Sequence, residues 1–96
     1  MGIISFSTRA EKDIDSIFRY IAMDSIYYAE RFVRSLILST NRLIDMPKSG
    51  RKVPEFDNLD LREIIFKNYR IIYRIKGNEN VEILSVHHSA KELMEI

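Results

Sequence analysis

The chain has 96 residues, enough for one domain (1–96) with a modest core, and its 46 % hydrophobic and 30 % charged content is that of a globular protein. It contains no cysteine, which excludes disulfides, thiolate nucleophiles and cysteine-based zinc sites, and no apolar run near the roughly 20 residues of a membrane span. A net charge of +1 excludes a basic footprint over the whole molecule, and no basic leader precedes an apolar stretch, so a cytoplasmic protein is expected.

In chain order, "IISF" (3–6) reads as a short strand. Thr8 with Glu11 three residues on reads as a capping box opening a helix. Ile14, Ile17, Phe18 and Ile21 form its apolar face. Asp24 and Ser25 interrupt the pattern and can cap a second helix. Ala29, Phe32, Val33, Leu36, Thr40, Leu43 and Ile44 share one stripe of that helix until Pro47 stops it. So short a break predicts a helical hairpin. Tyr27 and Tyr28 are expected to pack at its bend.

"PKSGRKVPEFDNLD" is read as loop, with Gly50 supplying a positive-φ turn and Arg51 binding carbonyls or carboxylates at the loop base. The period then changes. "LREIIF", "YRIIYRIK" and "VEILSVHH" read as strands, with "GNEN" turning between the last two. Alternation puts Tyr69, Ile71, Tyr73 and Ile75 on one side of the middle strand and Arg70, Ile72, Arg74 and Lys76 on the other. The expected fold is α+β, in the order β-α-α-β-β-β with a short C-terminal helix. The hairpin should cover one face of an antiparallel sheet and leave the other open.

Charge is uneven. Residues 48–76 hold eight basic side chains against four acidic ones, while the first 47 residues balance six against six. That positive middle third could face an acidic protein, a phosphate backbone or water. Adjacent His87 and His88 fall at a strand end, where opposite faces await them, and a slip of one residue would exchange the two. Their open roles are acid–base catalysis, metal ligation or a hydrogen-bonded strand end that meets a partner. No third nitrogen or carboxylate at helical spacing supports a metal, and no metal or cofactor is expected. Arg70 is equally open, as a cross-sheet partner of Glu63 or Glu82 or as a guanidinium offered to an anion.

Pro47, Gly50-Arg51, Pro54-Glu55, Arg62, Tyr69-Arg70 with Tyr73, and the His88–Lys91 stretch recur in this order in one family. Together with the "AEKDIDSIFRYI" helix they make the chain resemble the RelE/ParE superfamily of type II toxin–antitoxin toxins. The resemblance implies a cognate antitoxin as partner, with operator DNA reached only through it. It also implies one of two activities. RelE-like members cleave mRNA on the ribosome, and ParE-like members inhibit DNA gyrase.

Cleaving RNA needs a base for the 2′-hydroxyl, an acid for the leaving oxygen and cations for the phosphorane. By resemblance, the nuclease reading places Arg62, Arg70, His87 and His88 in the site. Ile64 and Ser89 stand where the nucleases carry basic residues, and no tyrosine follows Tyr73. The ParE-like branch is therefore favoured, with growth arrest through gyrase expected and endoribonuclease activity as the alternative. An inactive member that only binds antitoxin is a third reading. Antitoxin or target contacts are expected at Arg51, Arg62, Arg70, Arg74 and Lys91, with an apolar groove as anchor.

Overall fold

The computed structural model describes residues 2–89. Its elements are β1 (Ile4–Phe6), α1 (Thr8–Ala22), α2 (Ile26–Ser39), a single turn α3 (Arg42–Asp45), β2 (Arg51–Lys52), β3 (Leu61–Phe66), β4 (Tyr69–Ile75) and β5 (Val81–His88). The five strands form one sheet in the order β1-β5-β4-β3-β2. Pairing is antiparallel except at the edge, where β1 runs parallel to β5. The expected α+β architecture is present, with two helices on the sheet. The C-terminal helix expected from sequence lies outside the described residues, as does Lys91.

Three local expectations are corrected. Ser7, not Thr8, caps α1: its Oγ accepts from the Ala10 amide at 3.0 Å, and Thr8 is the first helical residue. The second helix does not run unbroken to Pro47. It ends at Ser39, where the hydroxyls of Ser39 and Thr40 donate to the carbonyls of Leu36 and Ile37, and a new turn starts at Arg42. The stretch read as loop contains β2, whose two residues pair with Glu63 and Arg62 of β3.

The main core lies between hairpin and sheet. Ala10, Ile14, Ile17 and Leu36 meet Ile64, Ile71, Tyr73, Val81, Ile83 and Val86 there. The opposite face of the sheet is not open as expected. Val53, Leu61 and Ile72 form a second buried cluster, with Phe56 and Leu84 packed against it. The chain after β2 folds back over this face because its apolar residues, Val53 and Phe56, have somewhere to be buried. That strap decides the environment of every charged group beneath it.

Candidate functional site

Four charged side chains form a linked set under the strap. Arg70 projects from β4 on the face away from the helices. Its Nε donates to Glu63 Oε1 at 2.7 Å, and its Nη1 and Nη2 each donate to a different oxygen of Glu55 at 2.7 Å. Glu63, on β3, also accepts from Nε of Arg51 on β2. The Glu63 side chain is 0 % exposed, Arg70 6 % and Glu55 19 %, whereas Arg51 is 62 % exposed. A buried charge persists only when paired and hydrogen-bonded, and this fork-to-fork geometry with Glu55 meets that requirement. Hydrogen bonding to Glu55 raises the Arg70 pKa against the opposing effect of burial. Among the described residues, the two guanidinium groups and two carboxylates of this set balance in charge.

The two histidines take opposite faces. His87 pairs with Arg70 in the β4–β5 register and His88 with Tyr69. The His87 ring is buried, with Nε2 at 2.8 Å from Ser85 Oγ. His88 is exposed, its ring edge-on to Tyr69 at 5.6 Å on the helix side. His87 is thus the histidine that shares a face with Arg70. The cause is a one-residue bulge: Tyr73 pairs with Ile83 but Ile72 with Ser85, which leaves Leu84 over. Val81 and Ile83 face the helices before the bulge and Val86 after it.

Arg62 lies elsewhere. It has the parity of Ile64 and Phe66, the helix side, and its Nη1 donates to the carbonyls of Gly50 at 3.0 Å and Lys48 at 3.4 Å. Its Nε is buried without a hydrogen-bond partner among the described residues. Beside it the Tyr73 hydroxyl donates to the Pro47 carbonyl at 2.6 Å and accepts from the Gly50 amide at 3.0 Å. Burial pushes the Tyr73 pKa up. Gly50 has φ −76°, so the expected positive-φ turn is corrected. Glycine is required for space instead, since a Cβ there would stand 2.5 Å from both the Glu63 carbonyl oxygen and the Tyr73 hydroxyl.

The four residues of the nuclease reading are therefore split: Arg70 with His87 on one face, Arg62 and His88 on the other. Arg74 is exposed, with no ion pair among the described residues, and stands opposite Glu82 in the ladder. Tyr27 and Tyr28 do not pack into the hairpin as expected; they are 63 % and 66 % exposed, edge-on to each other at 6.0 Å. Sequence reasoning missed Glu55 as a site residue. The Pro54-Glu55 pair was its one signal, and it carries no hint of a partner 15 residues away. A second surface lies along the hairpin. There Phe6, Ile14, Phe18, Val33 and Ile37 line a groove, with Glu11 and Asp15 also bordering it, that continues toward Leu38.

Residues 4–93 match the family described as the ParE toxin of the type II toxin–antitoxin system, parDE. The chain belongs to the ParE toxin family. Solved structures share its fold. A chain of the chromosomal ParDE toxin–antitoxin system from P. aeruginosa superposes with a TM-score of 0.75 at 19 % identity, covering 92 % of this chain and 96 % of that one. A chain of the RelBE2 toxin–antitoxin complex from Mycobacterium tuberculosis gives 0.65 at 21 % identity, covering 91 % and 96 %. An E. coli RelE mutant in complex with an antitoxin peptide gives 0.55 at 18 % identity, covering 96 % and 85 %. No curated protein matches the chain. The ParE-like branch of the superfamily is the one the family match favours. In this ParE-family chain the strap-covered ion set and the hairpin groove are thus two surfaces on a shared fold, and fold alone does not decide which of them acts.

Proposed function

We propose that this chain is the toxin of a type II toxin–antitoxin pair, that it acts by binding its target, with DNA gyrase as the implied target, and that a cognate antitoxin neutralises it. One observation carries the non-catalytic reading: the Arg70 guanidinium is spent on Glu55 and Glu63. Stabilising a dianionic phosphorane needs preorganised positive charge facing the substrate, whereas the Arg70 guanidinium faces two carboxylates beneath the strap. The split of Arg62 and His88 from Arg70 and His87 weighs the same way.

An antitoxin partner is supported by the family match and by relatives whose structures are toxin–antitoxin complexes. The hairpin groove suits the apolar face of a partner helix. Steering of an acidic segment falls to exposed Arg74 and Arg51 rather than to Arg70 or Arg62, whose guanidinium groups turn inward. Arg74→Ala is expected to slow association and reduce its salt dependence, measured by binding kinetics at two ionic strengths.

The test of the activity is biochemical. Purified toxin is incubated with gyrase and supercoiled DNA, and separately with translating ribosomes. Gyrase-dependent DNA breaks without mRNA cleavage are expected. Ribosome-dependent mRNA cleavage abolished by His87→Ala would replace this reading with the nuclease one.

A further inference from the structure

The bulge at Leu84 is held from outside the β4–β5 ladder. The β1 strand covers β5 only from Val81 to Ile83. Along that edge the Val81 amide donates to the Ile3 carbonyl, and the Ile83 carbonyl accepts from Ser7 N, both at 2.9 Å. A regular strand would next present Ser85, two residues on. Instead, α1 and its cap engage the Leu84 carbonyl and the Val86 amide. Ser7 Oγ donates to Leu84 O at 2.8 Å, and Val86 N donates to Asp13 Oδ2 at 2.9 Å. These are the groups that a one-residue bulge turns toward this edge. Asp13 is in turn braced by Arg9, 3.6 Å away.

We propose that Ser7 and Asp13 are positioning residues that reinforce the bulged register of β5, and so help determine whether His87 stands beside Arg70 with His88 on Tyr69, or His87 takes the place on Tyr69 instead. The competing register is definite. Without the bulge, Ile72 would pair with Leu84, Arg70 with Val86 and Tyr69 with His87. Ser85 would then enter the helix-side core and Val86 would sit beside the ion set. Apolar patterning thus favours the bulge, and two hydrogen bonds from the start of the hairpin reinforce it. The switch element is a strand with one spare residue, which one-residue slips exploit. The inference goes beyond the reading above and holds whichever target the toxin has.

The experiment compares the full chain with and without Leu84. In the wild type, NMR should show ring contacts between His88 and Tyr69. In Ser7→Ala/Asp13→Ala these contacts should weaken and His87–Tyr69 contacts appear. Deleting Leu84 removes the spare residue, so in that background the same two substitutions should leave the His88–Tyr69 contacts in place. Unchanged contacts in the first variant, or equal loss in both backgrounds, would overturn the proposal. Should the double variant not fold, Asp13→Ala alone decides it. Val86 amide exchange should rise about tenfold there and stay near wild type in Asp13→Asn, which keeps an acceptor oxygen. Equal exchange in wild type and Asp13→Ala would overturn it.

Discussion

Removing the Glu55 carboxylate tests the strap directly. Glu55→Ala deletes two 2.7 Å hydrogen bonds to a guanidinium that is 6 % exposed, and leaves Arg70 with Glu63 as a partner. Taking one member from a buried pair costs roughly 3–5 kcal/mol. Because Glu55 is partly exposed and Glu63 remains, the cost falls below that range, to about 2–3 kcal/mol. For a domain of this size that corresponds to a fall in Tm of about 10–20 °C. Glu63→Ala should cost more, since Glu63 is fully buried and serves two arginines. Arg51→Ala should cost under about 1 kcal/mol, its guanidinium being mostly in water. Thermal and urea unfolding followed by circular dichroism measure all three. A Glu55→Ala protein within about 0.5 kcal/mol of wild type, the scatter of ordinary surface substitutions, would refute the argument that burial makes this pairing matter.

Three further outcomes follow from single sites. Gly50→Ala should destabilise by about 1–3 kcal/mol through overpacking against β3 and the Tyr73 hydroxyl, seen as a lowered urea midpoint. Tyr73 has a folded pKa above its ordinary value of 10.0. Its contribution is therefore complete below pH 10 and lost as pH rises through the folded value. Stability measured from pH 8 to 11 should fall at the alkaline end, and less steeply in Tyr73→Phe. Glu79 holds φ 62°, which a side chain resists. Glu79→Gly should relieve that strain, offset in part by glycine's greater unfolded-state freedom, and leave Tm equal to or slightly above wild type.

What could be read from sequence was what periodicity encodes. The strands "LREIIF" and "VEILSVHH" begin and end where alternation and turn residues place them, as Leu61–Phe66 and Val81–His88. The helix stripes are likewise local patterns. The burial of Arg70 is not local: it depends on Val53 and Phe56 finding Ile72 across the sheet, and on Glu55 arriving from another segment. Alternation reports which side a residue takes and says nothing of what later covers that side. The histidine faces were illegible for a different reason. One unpaired residue, Leu84, inverts parity in the middle of an otherwise regular strand, and its stabilising partners, Ser7 and Asp13, lie more than 70 residues earlier.

The proposed action is binding to a target rather than cleavage of RNA. Mapping mRNA 5′ ends in cells induced for the wild type and for the folded His87→Ala/His88→Ala variant tests that most directly. No toxin-dependent ends are predicted in either culture. New ends inside translated messages that appear with the wild type and vanish with the variant would contradict it.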